Sequence, residues 1–144
     1  MKHQAKKRFG QNFLTDQAII ASLVDAIDPQ EGQMLIEIGP GLGALTKPLL
    51  NKVTELHVVE IDRDIVSWMN TEYSMPSYEK NKLTIHNVDA LKFDFASLGS
   101  HLRVTGNLPY NISTPILFHL LDNLPSITDM HFMLQKEVVE RMVA

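Results

Sequence analysis

Cysteine is absent from this chain of 144 residues. Disulfides and thiolate metal sites are therefore excluded, and cysteine usage gives no reading of the redox compartment. No apolar run approaches the roughly 18 residues that a membrane-spanning helix needs. The basic N-terminus lacks the apolar core of a signal peptide, which argues against secretion and makes a cytoplasmic location the expectation. There are no internal repeats and no low-complexity segments. The six histidines are scattered without metal-ligand spacing, so no metal is expected.

What is present is the composition of a soluble globular protein, long enough for one domain that buries about 70% of its unfolded surface. The net charge of −4 argues by itself against a nucleic-acid partner. Its distribution argues the other way. Lys2, Lys6, Lys7 and Arg8 have no acid among residues 1–9, which leaves −8 on the remainder. A basic arm on an acidic body can track a phosphate backbone. Charge alone leaves a plain solvated terminus equally open.

Strand and helix signals alternate along the chain, which predicts a parallel sheet with helices on its faces. The spacing of Ile19, Ile20, Leu23, Val24 and Ile27 predicts a helix from Asp16, its N-cap, to Ile27. Strands are predicted at Met34–Ile38, Leu56–Ile61, Leu83–His86, Leu102–Thr105 and Met130–Leu134. Further helices are predicted at about Leu42–Lys52, Asp64–Glu72, Thr114–Asp122 and Lys136–Val143. Pro48 must then sit near a first turn or bend its helix. Ser74 to Asn81 reads as a polar loop. A strand–helix series that stops in mid-helix without a cap is expected to be a fragment of a longer protein.

Two segments carry chemistry. In Leu35-Ile-Glu-Ile-Gly-Pro-Gly-Leu-Gly-Ala-Leu-Thr46, Gly39, Gly41 and Gly43 follow a strand and open a helix. Glycine there allows a tight turn and close approach of backbone to a ligand, and a helix N-terminus offers free N–H groups. Glu60 ends the next strand, where a carboxylate can accept the ribose hydroxyls of an adenosine cofactor. The spacing does not choose the cofactor, because Gly39-x-Gly41-x-x-Ala44 also satisfies the dinucleotide fingerprint. Two features favour S-adenosylmethionine over a nicotinamide. Glu37 can orient the cofactor's amino group through the loop or a water, and Asp89-Ala90 can present a carboxylate to the adenine amino group.

The second segment is Gly106-Asn-Leu-Pro-Tyr110. It follows the fourth strand and so faces the same crevice as the glycine loop. An exocyclic adenine nitrogen is a poor nucleophile because its lone pair is delocalised into the ring. Acceptors on its two hydrogens, the Asn107 side-chain oxygen and the Leu108 carbonyl, draw it toward a tetrahedral form. Pro109 fixes the turn, and the Tyr110 ring can stack on the base. A sulfonium is a good leaving group, so orientation and in-line approach can carry most of the rate without a general base.

Together these segments resemble the ribosomal RNA adenine dimethyltransferase family. Lys7-Arg-Phe-Gly-Gln-Asn-Phe-Leu14 is similar to its N-terminal motif, and Glu37–Thr46 to its glycine loop. Val59-Glu-Ile-Asp62 and Val88-Asp-Ala90 are similar to its ribose and adenine segments. Asn107-Leu-Pro-Tyr-Asn-Ile-Ser-Thr114 resembles its catalytic segment, and Met133–Val139 resembles what closes its fifth strand. The resemblance implies a Rossmann-like class I S-adenosylmethionine-dependent methyltransferase fold, truncated after the fifth strand and lacking a helical C-terminal domain. It implies that Asn12, Leu14, Gly39, Gly41, Glu60, Ile61, Asp89, Ala90 and Asn107 hold the cofactor. Asn107, Leu108, Pro109 and Tyr110 would form the catalytic corner.

The implied reaction of the longer parent protein is dimethylation of two adjacent adenosines near the 3′ end of small-subunit ribosomal RNA, on a pre-assembled small subunit, and the truncated chain by itself is expected to bind cofactor but to be inactive on RNA. Two other readings remain: a non-catalytic RNA-binding assembly factor that keeps the fold, and a nicotinamide-dependent oxidoreductase. In the family's strand order, three-two-one-four-five, the fifth strand becomes an exposed edge. Self-association through that edge is then expected, and a concentration-independent monomer in sedimentation would count against it. Among other residues, His86, His131 and Trp68 are expected to be packing residues, and Asp62 or Asp64 a helix cap. Phe9 and Phe13 are expected in an arm that covers the cofactor with its basic face outward.

Overall fold

The apolar strands assemble into a single sheet ordered β3-β2-β1-β4-β5, with every pairing parallel. The computed structural model describes residues 17–108 and 110–134. The elements are α1 (Gln17–Ile27), β1 (Met34–Ile38), α2 (Thr46–Leu50), β2 (Glu55–Val59), α3 (Arg63–Glu72), β3 (Lys82–His86), β4 (Leu102–Leu108), α4 (Tyr110–Leu121) and β5 (Ile127–Leu134). The proposed cap Asp16 and the helix from Lys136 lie outside the described residues.

A parallel sheet must be covered on both faces, because its crossovers place helices there. Leu35, Leu56 and Val58 pack on one face against Ile20, Val24, Leu49, Ile65 and Met69 from α1, α2 and α3. Ile36, Ile38, Val59 and Val104 pack on the other against Phe95, Ile116 and Leu120. Each such side chain contributes about 1.5–3 kcal/mol on full burial. Trp68 packs against the first cluster, as expected. His86 is also a packing residue, stacked on His57 with ring centroids 5.3 Å apart and tilted on Phe93 at 4.9 Å. Burial and then the neighbouring His57 lower its pKa.

Several element boundaries differ from the sequence reading, among them β2, which is Glu55–Val59 rather than Leu56–Ile61. The helix expected over Leu42–Lys52 is only Thr46–Leu50, because Gly41 (φ +55°) and Gly43 (φ +85°) hold the preceding residues in turns. Pro48 falls in its first turn, as the missing N–H requires. β4 runs on to Leu108 rather than stopping at Thr105, since both β1 and β5 pair with it through Gly106. α4 starts at Tyr110 rather than Thr114, with Pro115 inside the helix. The carbonyl this proline leaves unbonded belongs to Asn111, which is exposed to water. β5 starts at Ile127, three residues before the expected Met130. Asp62 caps α3 as expected, accepting from the N–H groups of Asp64 and Ile65.

At the end of the sheet away from the glycine loop, Arg103 ties four segments together. Its Nε and Nη2 donate to the two carboxylate oxygens of Asp129 on β5, each at 2.9 Å. Nη1 donates to Gln33 Oε1 at 2.7 Å, and Nη2 also bonds the Ile27 carbonyl at the end of α1. Breaking a buried pair from one side leaves an uncompensated charge and costs about 3–5 kcal/mol. Asp129 is a third exposed and Arg103 keeps its carbonyl partner. Asp129→Ala is therefore expected to cost about 3 kcal/mol, at the low end of that range. A urea midpoint unchanged from the parent would contradict this role.

Candidate functional site

Because all five strands are parallel, their C-terminal ends share one rim. The sheet order turns back between β1 and β4, which is where open α/β sheets bind ligands. The glycine loop leaves β1 at this point. Gly39, Gly41 and Gly43 all have positive φ, a conformation that side chains with a Cβ resist. The Gly39 N–H donates to the Val59 carbonyl at 2.9 Å, and the Gly43 N–H to the Pro40 carbonyl at 3.0 Å. The first bond continues the β1–β2 ladder by one residue, and the second closes the turn that leads into α2.

Gly39 also touches the second segment: a Cβ built on it would lie 3.7 Å from the Asn107 carbonyl oxygen. The loop and the β4 corner are thus neighbours, as the sequence reading required. The Asn107 side-chain oxygen Oδ1 is buried and has no hydrogen-bond partner among the described residues. The Leu108 side chain is wholly buried in the core, so only its backbone can serve the rim. Pro109 and the side chain of Tyr110 lie outside the described residues, as do Asn12 and Leu14.

Glu60 lies just past β2 and is 7% exposed. Its N–H continues the ladder to the His86 carbonyl at 3.0 Å, and its Oε2 accepts from the Asp62 N–H at 3.0 Å. Its carboxylate is thereby fixed at the rim. Ile61 beside it is 59% exposed and presents an apolar side chain to the crevice edge. Asp89 accepts from the Leu91 N–H at 3.0 Å and caps the helical turn Ala90–Lys92, with Ala90 buried beneath. Glu60 and Asp89 therefore stand at the ends of adjacent strands.

Three contributors were not visible in the sequence. Asn87 Nδ2 donates to the carbonyls of Glu60 and Ile61 at 2.9 and 3.2 Å, locking the β2 and β3 ends together. Thr46 donates its hydroxyl to Glu37 Oε1 at 2.6 Å. Tyr73, the C-cap of α3, sends its hydroxyl back under the loop, where it would stand 2.6 Å from a Cβ on Gly43. Glycine spacing hinted at close contact at residue 43, but nothing local named Tyr73 as the neighbour. Glu37 itself is buried beneath the loop. Desolvation by burial pushes its carboxyl up to about 8, the Thr46 bond opposes this, and the charge of Glu60 adds to it.

The sequence profile of ribosomal RNA adenine dimethylases matches residues 2–144. The chain belongs to that family. It is 69% identical over its whole length to the ribosomal RNA small subunit methyltransferase A of Methylobacillus flagellatus, and covers 54% of that protein. It therefore spans about half the length of the curated relatives it matches. A dimethyladenosine transferase from Plasmodium falciparum superposes with a TM-score of 0.74 at 29% identity, over 90% of this chain and 45% of that one. The 23S rRNA methyltransferase ErmE superposes with a TM-score of 0.75 at 25% identity, over 88% of this chain and 49% of that one. The fold is thus the Rossmann-like class I methyltransferase fold that the sequence implied. Among the described residues no helix is long and apolar enough to cross a membrane.

Proposed function

We propose that this chain is the cofactor-binding and base-binding half of an S-adenosylmethionine-dependent enzyme that dimethylates adjacent adenosines of small-subunit ribosomal RNA, in the cytoplasm. The observation that carries the reading is Asn107 Oδ1, a buried acceptor without a partner among the described residues, on the residue whose backbone carbonyl stands against Gly39 of the glycine loop. A buried polar atom left unpaired costs about 1–3 kcal/mol. Such a group persists where a ligand supplies the missing bond. The donor set also fits the cofactor: Glu60 is placed for ribose hydroxyls, Asp89 for an adenine amino group, and the loop for close approach of a tail.

Bound cofactor supplies a methyl group on a sulfonium, already activated for transfer. The chain's own residues then orient and polarise the acceptor. Asn107 Oδ1, together with the Leu108 carbonyl, accepts from the target amino group and frees its lone pair. An acceptor desolvated in the protein acts more strongly than one in water. No general base is needed at the reacting atom, and orientation supplies the larger part of the acceleration. The Tyr110 ring is assigned to stacking on the base, and Asn12 and Leu14 to closing over the cofactor. Family membership and the Asn107 corner favour this enzyme over a nicotinamide oxidoreductase. The same corner favours it over an assembly factor without catalysis. The fifth strand, an edge of the sheet among the described residues, supports self-association of the chain as a further part of the reading.

The test is incorporation of labelled methyl groups from the cofactor into small ribosomal subunits that lack this modification, by a protein of the relatives' full length that carries this chain. The expected product is dimethyladenosine at two neighbouring positions. Subunit binding without any label transfer would instead favour the assembly-factor reading.

A further inference from the structure

The glycine loop becomes α2 at Gly43, and both backbone groups of that residue are engaged. Its N–H donates to the Pro40 carbonyl and its carbonyl accepts from the Lys47 N–H, each at 3.0 Å. Gly43 is thus the joint that fixes how the loop leaves the sheet. Its nearest side-chain neighbours come from α3 and the residue that caps it. A Cβ built on Gly43 would lie 2.6 Å from the Tyr73 hydroxyl, and 3.7 Å from both Tyr73 Cζ and Trp68 Cη2.

Tyr73 is braced in this position. Its ring meets Trp68 and Tyr78 edge-on, with centroids 6.4 and 4.8 Å apart. Its N–H is held by the Met69 carbonyl at 2.9 Å. One residue earlier, Glu72 pairs with Lys47 at 3.7 Å. The end of α3 therefore grips the exit of the loop at two points. The Tyr73 hydroxyl is buried and has no hydrogen-bond partner among the described residues. Phenylalanine would keep the ring contacts without leaving a buried polar atom unpaired, so packing alone disfavours tyrosine here. What the oxygen does is fill the space beneath a residue that has no side chain.

We propose that Tyr73 is a positioning residue of the cofactor site, whose hydroxyl is a steric stop that sets the seat of the glycine loop through Gly43. The proposal rests on the cofactor assignment above. Tyr73 acts on the cofactor only through the loop and takes no part in the chemistry. Without the oxygen, the joint can settle into the gap. Backbone groups aimed at the cofactor then lose alignment, and such groups must be held to within about 0.5 Å.

The experiment is calorimetric titration with S-adenosylhomocysteine of the parent chain, Tyr73→Phe, Gly43→Ala and the double variant, with a urea midpoint for each. Tyr73→Phe is expected to weaken binding about threefold to tenfold, the scale of coupling between touching residues, with the midpoint unchanged or raised. Gly43→Ala should also weaken binding, because its methyl meets the hydroxyl. Adding Tyr73→Phe to Gly43→Ala should restore part of the affinity, since the methyl then faces ring carbon at 3.7 Å. Equal affinity of Tyr73→Phe and the parent would overturn the proposal while leaving the cofactor assignment intact. A midpoint that falls together with affinity in Tyr73→Phe would mark a packing role and also overturn it. So would two single losses that simply multiply in the double variant. Absence of binding by the parent chain would overturn both the proposal and the cofactor assignment.

Discussion

Gly106→Ala is expected to cost at least about 3 kcal/mol, at or beyond the upper end of core overpacking. The added Cβ would collide with the Ile38 carbonyl oxygen and stand 3.3 Å from the Ile38 nitrogen and carbonyl carbon. These are backbone atoms in a parallel ladder, where Gly106 is the register partner of Ile38. No side chain can swing away to make room, so β1 and β4 must separate. That separation also moves Gly39 away from Asn107 and takes apart the crevice. Gly32 provides the comparison. It has a positive φ of 87° but no atom within 4 Å of a built Cβ. Gly32→Ala should therefore cost only the conformational strain of about 1–2 kcal/mol. Urea midpoints of the two variants measure both numbers; equal costs would show that the β1–β4 contact is not the constraint.

Asn107→Ala is expected to lower methyl transfer by about a hundredfold or more, the scale of losing one preorganised polar group at a reacting centre. The same substitution should leave the urea midpoint unchanged or raise stability by up to about 1 kcal/mol, because it removes an unsatisfied buried acceptor. A residue kept for packing would show the opposite pair of effects. The two readouts together separate the roles. Transfer that survives in Asn107→Ala, or a large loss of stability without loss of transfer, would remove Asn107 from the catalytic corner.

Much of this architecture was legible locally. β1 and β2 announce themselves as short apolar runs, and Asp62 carries the chemistry of a helix cap within three residues of sequence. The glycine loop, Glu60 and Asp89 could be placed because each lies one to three residues beyond a recognisable strand. Two of the misread boundaries share one cause. Gly106 looks like a strand breaker, yet it is held inside β4 by pairing on both sides. Pro115 looks like a helix start, yet α4 carries it, and the residue whose carbonyl it deprives, Asn111, is exposed. In both cases tertiary context overrides local propensity. Thr46, Tyr73 and Asn87 escaped notice for a different reason. Their partners Glu37, Gly43 and Glu60 lie 9, 30 and 27 residues away, and a single sequence does not reveal such pairings. The raised pKa of Glu37 was equally hidden, since it follows from burial and from Glu60 rather than from residue type.

The central claim is that the rim of this sheet is an S-adenosylmethionine site built from the glycine loop, Glu60 and Asp89. Calorimetric titration of the parent chain and of Glu60→Ala with S-adenosylhomocysteine tests it most directly. The account predicts saturable binding of one ligand per chain. It also predicts affinity weakened about tenfold or more in Glu60→Ala, the loss expected for charge-assisted hydrogen bonds of about 1.5–3 kcal/mol. Absence of binding by a chain shown to be folded by circular dichroism, or equal affinity in the variant, would contradict it.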